Sequence, residues 1–397
     1  MGQHSMVTDH VGHRFDAPTV EDLRQHGSVK WSKFPQALGA FIAEMDFGTA
    51  PAVAAGVRAA ADQAMFGYLP DALASDLGAA CAEWHERRYG WAVDPASVHP
   101  VADVLRALEV TIRHFTRPDS PIALPTPAYM PFLSIPEMMG REIIQVPMLE
   151  GEDGWRYDLD ALDQAFAAGA GLLVLCNPHN PIGRVLRDDE MVAIAEVVER
   201  HGGRVFADEI HAPLVYEGHR HRPYASLSPM TAGHTVTATS ASKAWNIPGL
   251  KCAQLILSNT ADVERWRRGH GAEEYRYGAS PLGAAANTAA YRDGEPWLDD
   301  VVEYLDGNRR LLGSLVAEHL PGVRYTMPEG TYLAWLDVRE AELPSDDPAQ
   351  LIREHGGVAL VNGVDCGAAG AGFIRLNFAT PAPILEEIVL GIARVCT

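Results

Sequence analysis

Between Gly171 and His211 the chain changes its hydrophobic rhythm three times. Leu172–Cys176 is an unbroken apolar run, the pattern of a parallel strand covered on both faces. The loop Asn177-Pro-His-Asn-Pro-Ile-Gly183 follows and is dense in turn formers. Met191, Ile194, Val197 and Val198 then recur at helical spacing, with Asp188 placed to cap the helix and Gly202-Gly203 to stop it. Residues 205–207 read as the next strand. Further short apolar runs at 122–124, 143–146, Thr235–Thr239 and Ala253–Leu257 read as strands, several of them separated by helical stretches. This alternation predicts an α/β fold with a largely parallel sheet. The last hundred residues differ: 332–338, 358–361 and 373–378 read as strands among helices, which predicts a smaller α+β domain. No internal repeat and no low-complexity linker interrupts the chain.

Length and charge narrow the picture. A chain of 397 residues is long for one core and suits about two domains. The formal net charge of −20 argues against nucleic acid or an anionic membrane as a main partner, since both repel such a surface. It leaves room for a phosphorylated cofactor, because a pocket with a few aimed donors holds a phosphate against an acidic background. Cys81, Cys176, Cys252, Cys366 and Cys396 are scattered without C-x-x-C spacing, which predicts reduced thiols and a cytoplasmic setting. Residues 1–10 are polar, lack an apolar signal core and are expected to form a tail. No apolar run approaches the roughly 18 residues of a membrane helix.

In open α/β sheets ligands sit beyond the carboxyl ends of the strands. Asn180, Asp208 and Ser240 each fall just past a predicted strand end, so three segments aim polar groups at one edge. Thr239-Ser-Ala-Ser-Lys-Ala-Trp-Asn246 puts Lys243 beside small hydroxylated residues, with Lys251 eight positions on. A lysine whose pKa is low enough forms an imine with an aldehyde; the plain alternative is a surface lysine after a serine-rich turn. A Ser-x-x-Lys β-lactamase reading requires a later K-T-G, which the sequence lacks. Asp208 either caps the next segment or pairs with a cofactor's ring nitrogen, and His211, three residues on, either supports it or packs structurally. Gly218-His-Arg-His-Arg222 reads as a solvated loop and not a metal site, since no Cys or carboxylate completes a ligand set. Arg375 lies inside the apolar run Phe373-Ile-Arg-Leu-Asn-Phe378, where an unpaired charge is costly. Its guanidinium suits two-point capture of a carboxylate.

Together, S-A-S-K-A-W-N around Lys243, A-D-E-I-H around Asp208, N-P-H-N-P-I-G and F-I-R-L-N-F resemble the class I/II aminotransferase superfamily, which uses pyridoxal 5′-phosphate (PLP) on a fold type I scaffold. Lys30-Trp31, Ala43-Glu-Met-Asp-Phe47, Phe66-Gly-Tyr68 and D-E-I-H are similar to its MalY/PatB-like cystathionine β-lyase branch, the C–S lyases. The resemblance runs from about Lys30 to near the C-terminus. It implies a large PLP-binding domain over 49–290 and a small domain over 291–397 joined by the segment 1–48. It implies that Lys243 carries the cofactor as a Schiff base and moves the Cα proton, that Asp208 meets the pyridine nitrogen, that Asn180 donates to the phenolic oxygen and that Tyr129 stacks on the ring. Ser240 and Lys251 are implied for the phosphate, with the backbone at Ala102 and Asp103. Tyr68 is implied to reach the phosphate of a neighbouring subunit in a homodimer and to help the leaving thiolate. Arg375 is implied for the substrate α-carboxylate, and Glu44 for the region around the substrate.

The sequence departs from that pattern in four places. Glu44 stands where the branch has aspartate. Pro100-Val-Ala-Asp-Val104 replaces a Gly-Val-Val type turn, so the Asp103 side chain has to point away from a phosphate. Val361-Asn-Gly-Val-Asp-Cys-Gly367 is an unusual loop before the last strand, and Trp245 is bulky and is expected in the pocket wall. The expected reaction is α,β-elimination of cystathionine or another cysteine S-conjugate to pyruvate, ammonia and a thiol. An aminotransferase is the alternative, since the same lysine, aspartate and arginine serve it. A regulatory protein acting through protein contacts is a third reading.

Overall fold

The computed structural model describes residues 14–396 apart from 152–153, 270–274, 276 and 342; the expected tail, 1–10, lies outside the described residues. Seven strands form the main sheet, in the order Val98–Val101, Ala253–Leu257, Thr235–Thr239, Arg204–Asp208, Leu172–Cys176, Ile122–Thr126, Ile143–Pro147. The last five pair in parallel, whereas Ala253–Leu257 runs antiparallel to both neighbours. The rhythm of the sequence is thus realised as an α/β fold. Strand periodicity explains the unbroken apolar runs. Leu173 and Leu175 enter the core on one face of the sheet, and Leu172 and Val174 enter the core on the other.

Four antiparallel strands form the second sheet: Arg324–Tyr325, Leu333–Asp337, Phe373–Asn377 and Val361–Asn362. The run 358–361, read as one strand, is two. Val358–Ala359 pairs in parallel with Leu38–Gly39, and the chain then changes sheets at Leu360 so that Val361–Asn362 joins Phe373–Asn377. The helix Asp188–Arg200 is capped one residue earlier than expected. The carboxylate of Glu190 reaches back to accept from the Arg187 backbone N–H at 3.0 Å, so the third helical residue caps the end in place of Asp188.

Two further expectations are corrected. The G-H-R-H-R stretch is not wholly solvated: His221 is buried, its Nε2 is 3.4 Å from Oε2 of buried Glu209, and its ring packs edge-on to Tyr89. Glu209 also accepts from the Tyr224 backbone N–H at 2.8 Å, so a buried carboxylate draws the histidine inward. Trp245 is core and not pocket wall. Its indole N–H donates to the Gly294 carbonyl at 2.9 Å, and its ring centroid lies 5.3 Å from that of Trp84.

Residues 30–46 are anchored by one buried ion pair. Lys30 Nζ lies 2.7 Å from Asp46 Oδ2, and Trp31 Nε1 donates to Asp46 Oδ1 at 2.8 Å. Lys30 also donates to the Ala379 carbonyl at 3.3 Å, which ties the N-terminal segment to the C-terminal one. Truncating one member of a buried pair strands the other charge, at a cost of about 3–5 kcal/mol, whereas an exposed pair contributes about 0–1 kcal/mol. Asp46→Ala is therefore expected to lower the denaturation midpoint far more than Asp300→Ala, which removes the exposed partner of Arg14. Equal shifts in thermal unfolding of the two variants would contradict the anchoring role.

Candidate active site

Three neighbouring parallel strands deliver their next residues to one cavity. Leu172–Cys176 leads into the loop carrying Asn180, Arg204–Asp208 ends on Asp208, and Thr235–Thr239 is followed by Ser240 and Lys243. The cavity holds about 150 Å³, and its wall includes Lys243, Asp208, Asn180, Tyr129, His211 and Ser240, together with Ala102, Asp103 and Lys251. A second, wider cavity of about 700 Å³ shares Lys243 and Tyr129 with the first and adds Arg375 and Glu44. Tyr68 is on neither wall. It is 80% exposed, with its ring centroid 5.3 Å from that of Tyr277.

The loop after Leu172–Cys176 is fixed by its own polar groups. Asn177 Oδ1 accepts from the Leu186 backbone N–H at 3.0 Å, and His179 Nε2 lies 2.8 Å from the Pro127 carbonyl. Gly183 has φ +70°, and a Cβ there would meet Pro328 Cβ at 2.4 Å, so both conformation and space require glycine. Asn180 is thereby held against Arg375, whose Nη1 donates to its Oδ1 at 3.0 Å. That bond leaves the Asn180 NH₂ group as the donor of the side chain.

The buried charges are unusual in their lack of partners. Arg375 is buried, yet among the described residues no carboxylate pairs with it; Nη2 donates to the Phe41 carbonyl at 2.8 Å and Nε has no partner. Asp208 is buried too. Its Oδ1 accepts from the Ile210 backbone N–H at 3.1 Å, while the donor at Oδ2 is the Cys176 thiol at 3.7 Å. Burial pushes the Asp208 carboxyl up to about 7. Burial, aided by the Arg375 charge, pushes the Lys243 amine down to about 8. Lys243 Nζ donates to the Ala43 carbonyl at 3.0 Å. Burial keeps His211 neutral, pushing it down to about 3, and its Nδ1 has no partner among the described residues.

At the other end of the smaller cavity's residue set, the helix Val104–Phe115 begins. Asp103 caps it, accepting from the Arg106 backbone N–H at 2.9 Å, and its second oxygen pairs with Lys251 Nζ at 3.0 Å. Lys251 is left-handed at φ +49°. Ser240 has a structural bond: its hydroxyl donates to the Cys252 carbonyl at 2.7 Å and accepts from the Ser242 backbone N–H at 3.1 Å.

Sequence reasoning passed over Ser242, which is also on the cavity wall; its place directly before Lys243 was the available signal. It also passed over Tyr332, whose hydroxyl donates to the Ala43 carbonyl at 2.9 Å and whose ring lies edge-on to His211. Nothing in the local pattern around Tyr332 separates it from an ordinary strand aromatic.

Known proteins are similar to this chain over nearly its whole length. Residues 42–390 match the family described as aminotransferase class I and II. The chain is 40% identical over 382 residues to the cystathionine beta-lyase of Corynebacterium glutamicum, covering 95% of this chain and 99% of that protein. It is 33% identical over 379 residues to the cystathionine beta-lyase PatB of Bacillus subtilis, covering 93% and 95%. The solved structure of the PLP-bound C-S lyase from Staphylococcus hominis superposes with a TM-score of 0.88 at 25% identity, covering 97% of this chain and 99% of that one. A lysine amine, a buried carboxylate and a buried guanidinium gathered at the strand ends, on a scaffold matched along this length, place the chain in the aminotransferase class I and II family.

Proposed function

We propose that this protein is a PLP-dependent carbon–sulfur β-lyase that converts cystathionine or a related cysteine S-conjugate to pyruvate, ammonia and a thiol. The observation that carries the reading is the convergence of Lys243, Asp208 and Arg375 on adjoining cavities, with no ion-pair partner among the described residues. The cystathionine β-lyases at 40% and 33% identity favour elimination over amino transfer.

The residues fit the cofactor. Asp208 is a buried carboxylate whose Oδ2 has, among the described residues, only a thiol donor, so it suits a protonated ring nitrogen. Asn180 has its NH₂ to give to a phenolic oxygen, Tyr129 offers a ring face, and Lys243 offers the amine. Ser242 and the backbone N–H groups opening the helix Val104–Phe115 suit the phosphate, and Lys251 suits it by exchanging the Asp103 carboxylate, which does not point away as expected, for the phosphate. Ala102, Asp103, Ser240 and His211 complete the wall; Ser240 acts by holding the turn. Bound PLP supplies an electron sink for charge developing at the substrate Cα.

Arg375 holds the substrate carboxylate with the N–H groups left over from Asn180 and Phe41. A pKa near 8 gives Lys243 a larger share of free amine near neutrality than an ordinary lysine has, so it can accept the Cα proton. The Cβ–S bond then breaks with its electron pair leaving on sulfur, the ammonium of Lys243 is the donor at hand for that thiolate, and the three-carbon enamine that remains takes up water to give pyruvate and ammonia. Glu44 lies on the same wall as Arg375, where the substrate side chain extends.

The same reading makes the protein a homodimer in which Tyr68 of a second copy completes each site. Its support is an exposed aromatic group, Phe66, Tyr68 and Tyr277, outside its own protomer's cavities. The described part of the segment 1–48 belongs with the C-terminal part in the small domain, supported by the pairing of Leu38–Gly39 with Val358–Ala359. The boundary with the large domain falls at Gly294, between the helices Pro281–Asp293 and Glu295–His319, because position 290 lies inside a helix. Five buried cysteines without disulfides suit a reducing cytoplasm, and no helix among the described residues is long and apolar enough to cross a membrane.

The primary test is product analysis with cofactor-loaded protein and L-cystathionine, with no keto acid present. Pyruvate, ammonia and homocysteine in equal amounts are expected. Turnover that begins only on adding a 2-keto acid would make the protein an aminotransferase.

Asp208→Asn separates fold from function. The native carboxyl keeps its proton up to about 7, while the unfolded one loses it near 3.8. Asp208 therefore costs the apoprotein stability increasingly as pH rises from about 4 to 7. Asp208→Asn is expected to raise the apoprotein's melting temperature at pH 8, less so at pH 5, while lowering lyase turnover by about a hundredfold or more, as loss of an electrostatic partner does. A variant less stable than wild type at pH 8 would overturn this account.

Shared sites predict complementation. Tyr68→Ala and Lys243→Ala are each expected to be impaired, and dimers re-formed from a mixture regain activity through one intact hybrid site. Absence of any regain would remove Tyr68 from the neighbouring site.

A further inference from the structure

The wider cavity carries three charged side chains that neither the cofactor nor the substrate α-carboxylate uses. Lys33, Glu44 and Asp365 share its wall with Arg375 and Lys243, and among the described residues none of the three has an ion-pair partner. Arg375, buried with its Nε unpartnered, belongs to the same wall.

Each of the three is presented by a defined piece of structure. Glu44 lies in the irregular segment whose carbonyls are bonded by Lys243 and Asn377. Lys33 Nζ sits 5.4 Å from the ring centroids of Phe34 and Phe41, and Phe41 is itself on the wall. Asp365 lies on the short turn Gly363–Cys366, which is pinned where the Ala128 N–H donates to the Cys366 carbonyl at 2.8 Å. Gly363 is required there, because a Cβ would meet the Gly370 carbonyl oxygen at 2.0 Å and that of Phe373 at 2.5 Å. The unusual V-N-G-V-D-C-G loop is thus a close-packed turn that delivers a carboxylate to the cavity. A cavity of about 700 Å³ exceeds what the reacting three-carbon unit alone needs.

We propose that Glu44, Asp365 and Lys33 form a distal subsite that selects substrates whose departing thiol itself carries an α-amino acid. The two carboxylates face the distal ammonium, and Lys33 faces the distal carboxylate. This rests on the lyase reading and sharpens it: cystathionine-like thioethers are favoured over S-alkyl cysteines, which bring no charge to the subsite.

The test compares kcat/KM for L-cystathionine with kcat/KM for S-ethyl-L-cysteine, using cofactor-loaded wild type and variants. The double variant Glu44→Gln/Asp365→Asn is expected to lower the ratio of the two values about tenfold or more, or about 1.4 kcal/mol. Lys33→Gln, which removes a single exposed charge, is expected to lower it about threefold. Glu44→Asp keeps the charge and is expected to retain more of the ratio than Glu44→Gln. A ratio unchanged in the double variant, or equal losses on both substrates, overturns the subsite. Wild type that releases no pyruvate from either compound overturns the lyase reading instead. In that case calorimetric binding of the same two amino acids to cofactor-loaded Lys243→Ala protein decides the subsite. An affinity ratio that falls in Lys243→Ala carrying the double substitution supports it, and an unchanged ratio sinks it.

Discussion

The backbone of residues 40–48 runs through the interior without joining a long ladder, and its carbonyls must find donors there. Side chains supply them. Arg375 donates to the Phe41 carbonyl, Asn377 to those of Ile42 and Glu44, and Lys243 and Tyr332 both to that of Ala43. Asn246 closes the set by donating to the carbonyls of Met45 and Gly48. These donors come from two places, the turn after Thr235–Thr239 and the second sheet. One irregular segment therefore joins the two sheets, and the side chains that satisfy it include the reactive amine and the anion-binding guanidinium. Site geometry here follows from backbone satisfaction.

That arrangement also explains why the charges stay reactive. A buried Asp208 paired with Arg375 would leave both groups inert, each fixed by the other. The structure keeps them apart. Arg375 is held by neutral acceptors, Asn180 Oδ1 and the Phe41 carbonyl, and Asp208 by a backbone N–H and a thiol. Neutral partners orient a charge without cancelling it, so each group retains its attraction for a ligand of opposite sign. Lys243 feels burial first and the Arg375 charge second, and both favour its free amine.

Five strands of the main sheet were legible because they are short and buried on both faces, so composition marks them without help from distant contacts; the edge strand Val98–Val101 was not read as one. The smaller cavity was legible for a related reason: Asn180, Asp208, Ser240 and Lys243 follow strand ends directly, and a parallel sheet brings those ends together. Long-range placement was not. Nothing local to G-H-R-H-R reveals that Glu209 draws His221 inward, and nothing local to 358–361 reveals that Leu38–Gly39 captures its first half. Trp245 sits two residues from Lys243 yet turns into the core, since the turn it occupies is tight enough to reverse side-chain direction within that span.

The segment A-E-M-D-F shows how a motif can join two tasks. Glu44 and Asp46 are two apart, a spacing that would put them on one face of a regular strand. Here the backbone is irregular, and the two carboxylates part. Asp46 is committed to Lys30 at 2.7 Å and Trp31 at 2.8 Å, so its length and position are fixed by contacts on both oxygens. Glu44 has no side-chain partner among the described residues and lies on the cavity wall. Lys30-Trp31 and Asp46 are thus one structural device split across the sequence. The residue between them is free to be aspartate or glutamate, because its reach is set by what enters the cavity. A group bonded on every side cannot distinguish one ligand from another, so selectivity has to reside in side chains such as Glu44 that the fold positions but leaves unpaired.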